Sequence, residues 1–247
     1  MLIVQGETDD PTTYIGNKVT IQIALSAKDA GNDSASATVN VLKHENLVNN
    51  YGNGTDTQAL ALSAKGSRQG FYGCSFSSFQ DTLRAYKGTQ LYSRCYIEGA
   101  VDFIFGRDSM TWFEQTTIGI KASNSKETIT ASGRNYEESL GFFLFNQAKI
   151  ISVGAKAKSA YLGRPWGIFA RVGFQNSFMS DVINPVGWIG WNVPLDLRID
   201  FIEFEEFNNT GPGSLGKREL SKSLLKPYVL SDILQLNYTE WVDFNYL

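Results

Sequence analysis

One histidine, His44, occurs in 247 residues. No G-x-S-x-G elbow and no partnering Ser or Cys motif accompanies it, so the histidine-centred triads are excluded. Only two cysteines are present, Cys74 and Cys95, and two cannot fix a redox compartment by count. No apolar run approaches the roughly 18 residues of a membrane-spanning helix. Charge of one sign is also lacking: the net charge is −3, and neither a basic patch for nucleic acid nor a like-charged tail appears. The opening stretch, MLIVQGETDD, reads as too short and too acidic for an export signal.

Apolar residues make up 43% of the chain and aromatics 13%, with 23 glycines, a composition suited to one turn-rich β domain over residues 1–247. Residues 74–106 contain an internal repeat. Cys74 and Cys95 lie 21 residues apart, each opening a C-x-[FI] triplet, and each is followed seven residues later by an aspartate, Asp81 and Asp102. A fainter copy stands at Thr116–Ile118. A period near 20 in segments rich in Phe, Tyr, Ile and Val predicts an all-β solenoid whose coils stack on one another. Equivalent residues of adjacent coils then sit about 4.8 Å apart. Cys74 and Cys95 are therefore either close enough for a disulfide or two buried thiols in equivalent core positions.

The same stacking brings Asp81 and Asp102 together. Two bare carboxylates at that spacing repel, which drives their pKa values apart and leaves one acid beside one base or nucleophile. Gln58 precedes Gln80 by 22 residues, so their amides are predicted neighbours, either as a structural ladder or as donors to an oxyanion. In YLGRPWG (161–167), Pro165 fixes the backbone between Arg164 and Trp166. Arg164 could hold one carboxylate ionised and Trp166 could offer a platform to a sugar ring; the plainer reading is a structural turn with a core Trp. Strands are expected at 19–25, 36–41 and 59–62. Three further coils are expected from 110–120, 128–134 and 141–151, with the apolar run 141–145 covered on both faces. Residues 152–160 read as an exposed loop and Ser231-Asp232 as a helix N-cap. N-x-[ST] sequons at Asn32, Asn53, Asn208 and Asn237 lean mildly towards secretion.

QALAL (58–62), FQDTL (79–83), GAVDFIFG (99–106) and LGRPW (162–166), in that order, resemble the pectin methylesterases of the fungal type. NNTGPG and the closing YTEWVDF are similar too. The resemblance implies a single-stranded right-handed parallel β-helix and hydrolysis of the methyl esters of homogalacturonan (pectin). It implies no metal or organic cofactor, a secreted monomer, and no nucleic-acid or membrane partner. Carried over by motif, the nucleophile falls on Asp102, the general acid and later base on Asp81, and the oxyanion donors on Gln58 and Gln80. Arg164 matches the arginine that binds the nucleophile and Trp166 the sugar-stacking tryptophan. Phe105 and Trp188 match cleft aromatics.

Two departures stand out. Arg84 follows QDTL where relatives carry an aromatic, which alters one cleft wall. The chain also opens well inside the family pattern, and VLKHENLVNN is short, as though N-terminal coils were missing; a solenoid without its end cap exposes strand edges. An impaired pectin-binding protein of the same fold is therefore the alternative to an active esterase. A pectate lyase, which needs an acidic calcium cluster, fits the Asp and Gln pairs poorly.

Overall fold

A computed structural model of the chain describes residues 5–24, 26, 28, 43–52 and 56–247. The strand expected at 36–41 and the sequons at Asn32 and Asn53 lie outside the described residues. Eighteen strands among the described residues are parallel to their neighbours and wind into stacked coils, a parallel β-helix. One wall holds seven strands: β1 (Thr20–Ile23), β2 (Asn46–Asn49), β5 (Ser75–Ser77), β7 (Tyr96–Gly99), β10 (Thr117–Ile120), β13 (Lys149–Ser152) and β16 (Phe178–Met179).

The other two walls are joined through β6 (Leu83–Ser93), which turns the corner without a break. Its first half pairs with β3 (Leu62–Lys65) and β8 (Ile104–Gly106), its second with β4 (Gln69–Tyr72) and β9 (Asp108–Glu114). Gly88 makes the bend with φ +89°, and a Cβ there would lie 2.3 Å from Gly66 O, so only glycine fits. Above these lie β11 (Glu127–Ser132) and β14 (Ala160–Pro165) on the second wall. β12 (Phe142–Asn146), β15 (Arg171–Gln175), β17 (Glu203–Phe207) and β18 (Ser221–Ser223) continue the third.

The 21-residue repeat is real: Tyr96 pairs with Ser75 and with Thr117. The next coil is longer, with Thr117 opposite Lys149. Segments 110–120, 128–134 and 141–151 are therefore not three coils. They are successive walls of barely more than one, because each coil spends three strands. The continuous strand on the second wall likewise starts only at Leu62, although Ala59–Ala61 are fully buried and Ala59 and Ala61 already bond to the next coil.

Inward rows fill the coil. Leu47, Phe76, Ile97, Ile118, Ile150 and Met179 form one buried row. Phe71, Tyr92, Phe113, Phe145 and Phe174 form another, their rings stacked at 4.6, 5.0, 4.3 and 4.3 Å. In-register stacking makes each ring bury its neighbour, so no coil has a core of its own. Cys74 and Cys95 sit on this interior as buried thiols that are not joined in a disulfide. β12 is buried on both faces: Phe143 and Phe145 look inward, while Phe142 and Leu144 are covered by the C-terminal segment. That segment contains helix α1 (Leu230–Leu234), one residue earlier than its expected cap. Val229 is the N-cap residue, and the Asp232 carboxylate accepts from its N–H at 2.8 Å.

Candidate active site

Where the chain turns from the first wall to the second, Asp81 and Asp102 have φ of +64° and +47°. Aspartate is among the few residues that tolerate this left-handed conformation, so the corner both accepts the residue and turns its carboxylate outward. Asp81 N–H donates to Val101 O at 3.2 Å, and Gln80 pairs with Val101, so the aspartates occupy equivalent positions one coil apart.

Asp102 is 5% exposed and Asp81 half-buried. Thr128, one coil further on, fixes Asp102 twice: its hydroxyl donates to Oδ1 at 2.6 Å and accepts from the Asp102 N–H at 2.9 Å. Arg164 completes the clamp, with Nε 2.8 Å from Oδ1 and Nη2 2.7 Å from Oδ2. This is the two-point guanidinium–carboxylate geometry that compensates and orients a carboxylate charge. Arg164 reaches Asp102 across its own row, where Ala131 stands between it and Phe105; the methyl group leaves the path open. The guanidinium is in turn held by Trp191, whose ring lies 4.4 Å below Cζ and whose carbonyl accepts from Nη1 at 3.1 Å.

Gln58 and Gln80 are paired neighbours, as expected. The Gln80 carbonyl oxygen accepts from Thr57 N–H at 3.1 Å. That fixes the amide, leaving its NH₂ end as the donor. With Asp81, Asp102, Phe105, Arg164, Trp166 and Trp191, both glutamines line a cleft of about 430 Å³. Trp166 leans over Gly133, where a Cβ would lie 2.3 Å from the indole, and meets Phe105 edge-on at 6.2 Å.

Trp188 is not in the cleft. It is 1% exposed, stacks on Phe204 at 4.2 Å and donates its Nε1–H to Glu206 at 3.0 Å. Its bridge to Gly163 puts it in the row of Leu83, Ile104 and Thr130, all of which point inward. Trp191 occupies the cleft position instead, and the register of the LGRPW strand is the signal that separates the two. Thr128 was also missed, since it carries no motif. His44 is buried away from the cleft, hydrogen-bonded to Tyr246 Oη at 2.7 Å. Among the described residues no cluster of His, Cys, Asp and Glu could hold a metal ion.

A family model for pectinesterases matches residues 1–237. A pectinesterase of Aspergillus niger is 39% identical over 256 residues, covering 100% of this chain and 77% of that protein. Pectinesterase A of Emericella nidulans is 40% identical, covering 99% and 75%. The chain belongs to the pectinesterase family. The crystal structure of the Aspergillus niger pectin methylesterase superposes with a TM-score of 0.89 at 39% identity, over 99% of this chain and 81% of that one. The carrot pectin methylesterase superposes at 0.76 with 26% identity, over 84% and 69%. A pectinesterase is a carboxylic ester hydrolase, and a cleft with two carboxylates and two amide donors is equipped for acyl transfer.

Proposed function

We propose that this pectinesterase removes methyl esters from homogalacturonan with Asp102 as nucleophile and Asp81 as acid and base. The two-point clamp from Arg164 to Asp102, with Asp81 one coil away, carries the assignment. Arg164 and Thr128 aim the Asp102 carboxylate at the ester carbonyl. Attack forms a C–O bond and places negative charge on the carbonyl oxygen, which the amides of Gln58 and Gln80 stabilise. The tetrahedral species collapses as Asp81 protonates the departing methoxide, leaving an acyl anhydride on Asp102 and free methanol. Asp81, now ionised, takes a proton from water, and the hydroxide releases the galacturonate carboxylate and restores both aspartates. Asp81 suits the role that changes protonation because it is half-buried and reachable by water, whereas Asp102 is enclosed.

Trp166 and Phe105 form the wall on which a pyranose ring stacks, and Trp191 packs against the same small cluster of Leu60, Phe105 and Ala131 as Trp166. On the strength of the family resemblance we place the chain outside the cell, acting as a monomer on pectin. The test is methanol release from highly methylated pectin with calcium chelated. Release unaffected by chelation is expected; cleavage of the polymer with a calcium requirement would overturn the reading in favour of a lyase.

A further inference from the structure

Trp166 and Trp191 reach the cleft from different stretches of chain, and one side chain outside the motifs touches both. Trp166 follows the last residue of β14, whereas Trp191 opens a short hairpin-like turn. The Trp191 N–H donates to Leu197 O at 3.1 Å, and Asn192 and Asp196 exchange backbone hydrogen bonds at 2.7 and 2.9 Å. The turn is tight at its base, where a Cβ on Gly190 would lie 3.1 Å from the Leu197 side chain. Its tip is apolar yet open to solvent, with Val193 45% and Leu195 84% exposed. Apolar burial at the tip therefore does little to hold the turn against the cleft.

Arg198 follows the turn and supplies the hold. Its Cζ lies 5.0 Å from the centre of the Trp191 ring, the ring that also carries Arg164 at 4.4 Å. Its Nη1 donates to the Trp166 carbonyl oxygen, and its Nε donates to Asp196 Oδ2 at 2.8 Å. A planar guanidinium fork can meet an aromatic face, a carbonyl and a carboxylate together, which an ammonium cannot. Arg198 stands outside the wall strands and has φ +53°, a left-handed state that an arginine keeps only where its surroundings hold it. It does not line the cleft.

We propose that Arg198 is a positioning residue for the esterase reaction, fixing the sugar-stacking wall and the support of the Asp102 clamp relative to each other. This rests on the esterase reading given above. One arm runs from Arg198 through the Trp166 carbonyl to the indole on which the pyranose ring stacks. The other runs through the Trp191 ring to Arg164, whose Nη1 donates to the Trp191 carbonyl and whose Nη2 holds Asp102. The ester carbonyl is placed by the first arm and the nucleophile by the second. Their alignment matters because a misplacement of about 1 Å can cost roughly a hundredfold in rate.

The experiment measures methanol release and calorimetric binding of methylated pectin in Arg198→Ala, Arg198→Lys, Trp191→Ala and the double variant Arg198→Ala/Trp191→Ala. In Arg198→Ala, kcat is expected to fall about three- to tenfold and the pectin Kd to rise about threefold, the sizes that go with one lost hydrogen bond and one lost cation–aromatic contact. The urea midpoint should stay near that of the wild type. Because the rate effect passes through Trp191, kcat of the double variant should lie within about twofold of Trp191→Ala alone. Arg198→Lys keeps the charge but loses the fork, so it should recover less than half of the lost rate. Wild-type kcat and Kd in Arg198→Ala would overturn the proposal. So would a fully active Arg198→Lys, losses that simply multiply in the double variant, or a rate loss that tracks a lowered urea midpoint. If the wild-type chain releases no methanol, the esterase reading fails, and the calorimetry still decides whether Arg198 places Trp166: a raised Kd in Arg198→Ala supports it and an equal Kd overturns it.

Discussion

Asp102 and Trp191 show how much of the site depends on single side chains held by several partners. Asp102 has hydrogen-bond partners on two other coils, and Arg164 is steadied by Trp191 from a third segment. The two tryptophans three residues apart separate stability from function. Trp188→Ala removes a fully packed indole and should cost about 3–5 kcal/mol of stability. Trp191→Ala should leave denaturation nearly unchanged but lower kcat/KM about tenfold, because a guanidinium–aromatic contact near 4.4 Å is worth of order 1 kcal/mol. Urea unfolding and initial rates on both variants check this; equal loss of stability in both would contradict it. Asp81, Asp102, Gln58 and Gln80 were legible in the sequence because short turns keep their offsets at 21 and 22. Arg164 is 62 residues from its partner across coils of unequal length, so the residues alone offered it only as one reading beside a structural turn, and the motif resemblance matched it to the nucleophile. Trp188 was misplaced because a G-W-I-G-W segment does not itself reveal which indole faces inward.

At the scale of the element, the corner between the third and first walls repeats one backbone state. Arg94, Gln115, Gln147, Asn176 and Asn208 all have φ near +50°. The two asparagines are suited to it, and Asn208 Nδ2 donates to Asn176 Oδ1 at 3.1 Å. Gln147 is exposed in the same strained state without that benefit. Gln147→Asn should therefore raise stability by about 0.5–1 kcal/mol, the usual gap between asparagine and longer side chains in this region. An unchanged or lower urea midpoint would argue that the corner is not strained. These corners also explain why the repeat fades in the sequence after Thr116. The segments 121–126 and 133–141 leave the walls as loops, lengthening the coil while the corners stay in register.

For the whole molecule, the C-terminal segment ties the last part of the chain to the first coils. Tyr246 is hydrogen-bonded to His44, Lys43 pairs with Asp243 at 2.9 Å, and the Tyr72 hydroxyl accepts from Asp243 N–H at 2.9 Å. Burial, and secondarily the charge of Lys43, pushes the His44 pKa below its ordinary 6.5. The unfolded chain therefore binds a proton more readily than the folded one. The stability this group provides is fully present above pH about 6.5 and is lost as pH falls through the lowered folded value. His44→Gln should flatten the fall in Tm between pH 7 and pH 5; an identical slope in the variant would exclude His44 as the source.

The β-helix itself was legible from the 21-residue period and from the apolar run in β12, because stacking is what both patterns require. The clamp by the C-terminal segment was not, since contacts across some 200 residues leave no local pattern. The central claim is that an Asp102 carboxylate held by Arg164 attacks the ester. Its most direct test is Asp102→Asn, which preserves shape and removes the nucleophilic oxygen. We expect methanol release from methylated pectin to fall by about 10³-fold or more, while calorimetric binding of the same pectin stays within about threefold of wild type. Methanol release at the wild-type rate by a folded Asp102→Asn chain would contradict the account.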